Sequence, residues 1–337
     1  MGTATTSARI IRRISVVIPT RNREAALGRV LSSLRDQTLD APAYEVLVVD
    51  DGSDPPVHCA GWAGDPVFRL VRLPHVERSA ARNHGAREAT GEILVFMDDD
   101  MLAGRNLLEA HASAQAEWPD ALAVGEITLA AETLRTPFGR FRGGLETSAV
   151  PPSRGPVSRP HFATAANMSI SRNRFLTLGG FDAHIVSSED QDLALRHSAA
   201  GGTIVYLPEA TAVHDDSATS LREYCRRAEW GAEHMAPFCR RYPAWPDNQL
   251  RRTVNGPVSW SEDPPRLILW KAGKHLLGWP PLLALLLAVV ERVEAHAPSS
   301  SLLASLYRLA LGIHLQRGFR KGWEVTARGA RRVQEAP

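Results

Sequence analysis

Apolar and polar positions alternate in two rhythms along the first two hundred residues. Ile14 to Ile18 is a β-branched run that stops at Pro19-Thr20, and Arg23 to Arg35 then carries Ala26, Leu27, Val30, Leu31 and Leu34 on one helical face. A buried-strand pattern from Glu45 to Val49 ends in Asp50-Asp51-Gly52-Ser53, and a shorter one, Phe68 to Leu73, follows a Pro/Gly-rich stretch. A helix is predicted over Ser79 to Ala89, closed by Gly91, and Ile93 to Met97 is a short apolar strand that delivers Asp98-Asp99-Asp100 at its end. Strands that alternate with helices in this way predict a mostly parallel sheet covered by helices on both faces. The ligand crevice of such a sheet lies beyond the carboxyl ends of the strands, where these acidic clusters fall.

Farther along, Thr136 to Pro160 is rich in Gly, Pro, Arg and Ser without an apolar period, and it reads as a mobile loop with Arg140, Arg142, Arg154 and Arg159 available to close over an anion. Regular structure is expected again at Asn167 to Ser171, in a helix from Ser188 to Ala200 closed by Gly201-Gly202, and in a strand from Thr203 to Leu207, with Ala212-Val213-His214 following Pro208. Past about Thr219 the composition shifts to Arg, Trp and Leu with helical periodicity, so the expected organisation is a flexible segment 1–13, a domain 14–218 and a helical region 219–337. Leu276 to Val290 carries no charge, but Pro280-Pro281 interrupts it, and at about 1.5 Å per helical residue it falls short of a hydrocarbon core about 30 Å thick. That stretch is read as a helix packing on the catalytic domain or a second subunit, with a helix lying at a membrane surface as the alternative; Arg308, Arg317, Arg320, Lys321, Arg328, Arg331 and Arg332 suit anionic headgroups.

Charge and cysteine content narrow the classes. A formal charge of +2 over 337 residues gives no reason to expect nucleic acid as a partner. Cys59, Cys225 and Cys239 are widely spaced with no C-x-x-C pairing and are read as reduced thiols. Met1 to Arg13 has no apolar core of a signal peptide, so a cytoplasmic protein is expected, with peripheral contact at the inner face of the membrane as the variant. Met1-Gly2 with Thr6 matches a loose myristoylation pattern and Asn167-Met168-Ser169 a glycosylation sequon, and neither is expected to be used.

Three acids in a row at a strand end repel one another and raise one another's pKa, so something must compensate them. Hard oxygen ligands such as Asp98 and Asp100 select Mn2+ or Mg2+, and the competing reading is a solvated turn with Asp100 capping a helix from Leu102. His214 is an acceptable ligand for manganese. Glu189-Asp190 opens a helix, where acids are favoured by the dipole, and a carboxylate near a cation-bound phosphate can serve as a general base. Asp192 and Arg196 are spaced as an ion pair on that helix.

The ordered pieces Ile14 to Arg23, Val48 to Ser53, Ala81-Arg82-Asn83-His84-Gly85, Phe96 to Asp100 and Glu189 to Leu193 together resemble the family 2 glycosyltransferases over about Ile14 to Asp216. The resemblance implies a GT-A, Rossmann-like α/β fold with a C-terminal helical extension outside the shared core, and an inverting transfer of sugar from a nucleotide diphosphate, UDP or dTDP by preference, to an acceptor hydroxyl. It implies that Pro19, Thr20, Asn22 and Arg23 line the nucleoside pocket, that Asp51 meets the base, and that Arg82 lies near the nucleotide. It implies further that Asp98 faces ribose with Asp99 beside it, that Asp100 and His214 hold Mn2+ or Mg2+, and that Asp190, paired with Glu189, takes the acceptor's proton; Met101 stands where the motif often continues with a fourth acid or Asn. The acceptor is open between a glycan, a lipid-linked group and a small molecule. Two rivals stand beside this reading. A nucleotidyltransferase lacks support because no glycine-rich loop follows the first strand, and a nucleotide-sugar-binding scaffold without activity would not need Asp100, Asp190 and His214 together.

Overall fold

The computed structural model describes residues 13–40, 43–58, 61, 62, 64–147, 151, 153–158, 162–216 and 219–334. The expectations for Met1, Gly2 and Thr6, for Cys59 and for Arg159 lie outside these residues, as do the side chains of Arg328, Arg331 and Arg332. Contacts within the chain divide it into a sheet unit, residues 1–128, 150–183 and 193–215, and a helical unit, residues 129–149, 184–192 and 216–337. A single cut at 218/219 is the expectation from composition; the contacts add 129–149 and 184–192 to the helical unit.

In the sheet unit the chain runs β1 (Ile14–Thr20), α1 (Glu24–Arg35), β2 (Tyr44–Asp51), β3 (Phe68–Leu73), α2 (Arg78–Glu88), β4 (Ile93–Met97), β5 (Met101–Ala103), α3 (Leu107–Glu117) and β6 (Leu122–Leu129). After an excursion it continues with β7 (Gly155–Pro156), β8 (Asn167–Ser171), α5 (Arg172–Thr177), most of α6 (Glu189–Ala199) and β9 (Ile204–His214). The strand order is β3-β2-β1-β4-β8-β6-β9-β5, with β7 beside β9. Pairings β1–β2, β1–β4 and β2–β3 are parallel, because each strand is followed by a crossover that returns to the same edge; β8, β5 and β7 join antiparallel. Parallelism is therefore confined to the first four strands of the order, and the rest of the sheet is antiparallel wherever its register is defined.

The period of two along each strand sends alternate residues to opposite faces. Val16, Ile18, Val46, Val48, Val95 and Met97 face α1 and the start of α3, where Leu27, Val30, Leu31, Leu34, Leu107 and Leu108 close one core. Val17, Val49, Leu94 and Phe96 face the other way, onto Ala81 and Ala86 of α2, Phe175 of α5 and Leu193 of α6. Gly85 lets α2 approach the sheet: a Cβ there would stand 2.5 Å from Val17 Cγ1. Strand β9 runs unbroken through Pro208, where the sequence suggests an interruption; a strand tolerates proline at a position whose N–H the ladder does not use.

The helical unit contains α4 (Pro137–Thr147), the first residues of α6, α7 (Leu221–Arg241), α8 (Pro246–Asn255), α9 (Pro265–Leu277), α10 (Pro280–His296) and α11 (Ser301–Gln334). Its main core joins Phe138, Leu221, Cys225, Leu283, Leu287 and Tyr307. Cys225 and Cys239 are buried free thiols, pushed up by burial to about 12 and about 11. Much of the segment expected as a mobile loop is thus α4. Its glycines hid it, but Phe138 and Phe141 pack on Tyr307, and a Cβ at Gly139 would stand 1.8 Å from the Thr133 carbonyl, so the packing requires glycine there. No single helix among the described residues is long and apolar enough to cross a membrane.

Candidate active site

Every strand of the parallel half ends on the same side of the sheet unit, and Thr20, Asp51 and the triplet Asp98 to Asp100 lie at those ends. Asp98, Asp99 and Asp100 follow β4 directly, and Thr20 closes β1 next to it. Thr20 Oγ1 donates to Asp99 Oδ2 at 2.7 Å. Arg23 spans the triplet, with Nη1 3.0 Å from Asp99 Oδ1 and Nη2 2.9 Å from Asp100 Oδ2. Arg82, fully buried on α2, pairs with Asp98 and lies with its guanidinium 5.6 Å from the Phe181 ring centroid. The acids are therefore compensated in part by two arginines, one from the loop after β1 and one from α2.

Position alone separates the chemistry of these carboxyls. Burial pushes Asp99 up to about 6, against the attraction of Arg23 and the Thr20 hydrogen bond. Burial also acts on Asp100, but His214 and Arg23 outweigh it and hold that carboxyl at about 2, ionised throughout the neutral range. The triplet does not cap a helix, because β5 begins at Met101 and pairs antiparallel with β9. That register sets Met101 opposite His214, Asp215 N donates to Asp100 O at 2.9 Å, and His214 Nε2 comes to 3.4 Å from Asp100 Oδ2. Met101, where the motif departs from its usual acid, is the residue whose strand pairing delivers the histidine.

At the end of β2, Asp50 and Asp51 serve different tasks. Asp50 is buried and accepts from the backbone N–H groups of Ser53 (2.9 Å) and Val57 (3.3 Å), which shapes the turn. Asp51 accepts from Val76 N at 2.6 Å, and His75 Nδ1 lies 2.9 Å from its other oxygen. Gly52 has φ +72°, and a Cβ there would stand 2.8 Å from His75 N, so only glycine lets the two loops meet. Asn22 takes φ 56°, with its side chain accepting from Asp54 N and its N–H donating to Ser53 Oγ. His75 and its partner Arg21, at 2.8 Å, are absent from the sequence-derived set; an isolated Pro-His after a short strand gives no signal of a partner more than twenty residues upstream.

Glu189 and Asp190 belong to the helical unit. They open α6 after Ser188, which holds φ 74°, a conformation that costs a residue with a Cβ about 1 kcal/mol or more. Glu189 is buried, and Asp190 is half-buried with Oδ1 accepting from Gln191 N at 2.8 Å. In the same unit Asp192 accepts from the Tyr242 hydroxyl at 2.7 Å; in the sheet unit Arg196 donates to the carbonyls of Leu178 and Gly180. The arginines considered for closing over an anion have partners of their own. Arg142 bonds Glu146 and Asp216 in the helical unit, Arg140 bonds the Leu134 and Arg135 carbonyls, and Arg154 bonds Glu117 and Glu209 in the sheet unit.

Among the described residues no group of three or more His, Cys, Asp or Glu side chains converges as a complete metal cage. Asp100 and His214 are the residues that would hold a divalent cation, a carboxylate and an imidazole being acceptable donors to Mg2+ or Mn2+. The fit rests on a buried, ionised carboxylate and a partly exposed imidazole nitrogen 3.4 Å apart.

A sheet covered on both faces, with acids at its carboxyl edge, is the α/β arrangement in which ligands bind beyond the strand ends. Residues 15–140 match the family model of glycosyl transferase family 2, and this part of the chain belongs to that family. The pre-mycofactocin glycosyltransferase of Mycobacterium tuberculosis is 30% identical over 238 residues, which is 69% of this chain and 48% of that protein. The O-antigen biosynthesis protein RfbC of Myxococcus xanthus is 28% identical over 242 residues, 66% of this chain and 19% of that protein. The chain thus spans about half or less of the length of these relatives. Among solved structures, the mannosyltransferase PcManGT from Pyrobaculum calidifontis, in complex with GDP-Man and Mn2+, aligns with TM-score 0.56 at 18% identity over 91% of this chain and 87% of that one. S. aureus TarS 1–349 in complex with UDP-GlcNAc aligns with TM-score 0.51 at 19% identity over 94% and 92%. The fold is accordingly GT-A.

Proposed function

We propose that this chain is an inverting, metal-dependent glycosyltransferase that moves a sugar from a nucleotide diphosphate to an acceptor hydroxyl by single displacement. The observation that supports it most is the edge of β4, where an ionised Asp100 and His214 stand together beside Arg23 and Arg82. A Mn2+ or Mg2+ ion held there would neutralise the negative charge that develops on the departing diphosphate. Arg23 turns its half-exposed guanidinium to the same edge and adds a fixed positive charge. Asp98, tethered by Arg82, is assigned to the ribose, and Pro19, Thr20 and Asn22 to the nucleoside. Two of the solved structures with which the chain aligns hold GDP-Man and UDP-GlcNAc. UDP or dTDP is favoured here because a carboxylate such as Asp51 suits the N3–H of uracil or thymine.

Asp190 is assigned as the base that takes the acceptor's proton, with Glu189 beside it. Its Oδ1 accepts from Gln191 N at 2.8 Å, which fixes the orientation of the carboxylate at the start of α6. The acceptor class stays open between glycan, lipid-linked group and small molecule.

Calorimetric titration with UDP, dTDP and GDP, each with Mn2+ and with chelator, tests the donor site. The expected result is binding of one uridine or thymidine nucleotide that needs metal and is lost in Asp100→Asn. Binding that ignores both metal and Asp100 overturns the metal role and leaves Arg23 as the diphosphate's counter-charge. Absence of binding to all three overturns the donor site itself.

A further inference from the structure

Helix α9 is built inside out. Lys271 and Lys274 are buried, at 1% and 2% exposure, while Leu269, Trp270 and Leu276 on the same helix are 73%, 50% and 65% exposed. The lysines are satisfied inward: Lys271 Nζ meets Asp263 Oδ2 at 2.7 Å and the Pro257 carbonyl at 3.1 Å, and Lys274 Nζ the Val254 carbonyl at 3.1 Å. A helix that only covers a core places these residues the other way round. The apolar surface continues past the turn, with Trp279 60%, Leu285 61% and Val289 44% exposed.

Basic residues prevail around this face, and Lys321 among them pairs with Glu233 at 2.8 Å. From Pro264 to Val290 the sequence has no acidic residue, and α11 contributes Arg308, Arg317, Arg320 and Lys321 with no acid between Ser301 and Lys321. At the corner between α9 and α10 a cavity of about 550 Å³ joins Leu276 and Trp279 to Arg317, Arg320 and Lys321. Two acids also line it; Glu229 is occupied by Arg317 and by His314 at 2.5 Å, and Glu324 is exposed. The two helices meet at 91°, and neither is long and apolar enough to span a bilayer.

We propose that the exposed face of α9 and the start of α10 docks on the surface of an anionic lipid bilayer. Leu269, Trp270, Leu276, Trp279 and Leu285 enter the acyl boundary, and Arg320 and Lys321 at the corner cavity meet headgroup phosphates. Tryptophan is favoured at that boundary because its ring is apolar and its N–H is not, and apolar burial and basic attraction to anionic lipid add. The lack of any acid from Pro264 to Val290 argues for a lipid of negative charge over a second copy of the chain, whose own cations would face these across a two-fold interface.

Flotation of the full chain with vesicles of phosphatidylglycerol and phosphatidylcholine, against vesicles of phosphatidylcholine alone, tests this without any assay of sugar transfer. Binding to the anionic vesicles only, weakened by salt, is expected. The Arg320→Glu/Lys321→Glu variant is expected to lose at least tenfold in partition, since each basic charge contributes about fivefold. Leu276→Ser/Trp279→Ser is expected to lose a similar factor while its thermal unfolding matches the parent, because both side chains are exposed. Absence of flotation at low salt overturns the proposal, as does flotation that neither variant changes. A concentration-dependent dimer in sedimentation velocity that Leu276→Ser/Trp279→Ser abolishes, in a chain that does not float, assigns the face to self-association instead.

Discussion

Neighbouring carboxyls within one tripeptide differ in what they touch, and this decides what each substitution does. Asp99 points to Thr20 and Arg23, and Asp100 to His214 and Arg23. Replacing Asp99 with Asn keeps a partner for Thr20 and removes a carboxylate whose burial already disfavours charge, so a change in stability below about 1 kcal/mol is expected from thermal unfolding. Asp190→Asn is expected to leave nucleotide affinity within twofold and to lower turnover by about 10²- to 10⁴-fold; equal loss of both would show a structural role. Arg82→Lys is expected to behave like Arg82→Ala in urea unfolding, each costing about 2–4 kcal/mol. An ammonium cannot reproduce the planar group that pairs with Asp98 beside the Phe181 ring, and removing one partner of a buried pair leaves the other uncompensated.

At the scale of elements, close approach matters more than helix propensity. Gly28 and Gly85 both lie within helices of the sheet unit, α1 and α2, and look alike in sequence. A Cβ at Gly28 meets nothing within 4 Å, whereas at Gly85 it meets Val17 Cγ1 at 2.5 Å. Gly28→Ala is therefore expected to stabilise by up to about 1 kcal/mol, and Gly85→Ala to destabilise by about 1–3 kcal/mol, in opposite shifts of the urea midpoint. In the helical unit, α4 owes its place to tertiary partners. Buried Arg142 bonds Asp216 at 3.0 Å, and Arg227 bonds the same carboxylate at 2.9 Å, so Asp216 gathers α4 and α7 together.

Over the whole molecule, acid stability follows from two buried groups of the sheet unit that lie away from the candidate site. His111 is fully buried between Ser169 and Asn167, and burial holds it down at about 4, outweighing the Asn167 hydrogen bond. Its contribution is complete above the unfolded value near 6.5 and is lost as pH falls from there to about 4. Glu45 is opposed by burial, but Ser15, Thr90 and Arg69 bond it and hold it at about 2, so its contribution is lost between about pH 4.5 and 2. Chemical unfolding against pH is expected to show stability falling in both windows. His111→Gln is expected to flatten the first and Glu45→Gln the second, each window being worth about 1–3 kcal/mol.

What the order of residues determined by itself was local. The short apolar runs of β1, β2 and β4, the helical face of α1, the capped start and glycine end of α6, and the acids at the strand ends follow from residue type and run length, which act within a few residues. The family resemblance was legible for the same reason, since its pieces are short and ordered. Tertiary structure decided whatever depends on partners distant in the chain. It made α4 of a Gly-rich segment through Phe138 and Arg142, and it carried β9 through Pro208 until Met101 faced His214. It also split the acids of the triplet between Arg82, Arg23 and His214, and brought His75 to Asp51. Those outcomes turn on burial and pairing across tens of residues, where the free energy of a side chain is set by neighbours that its own segment does not contain.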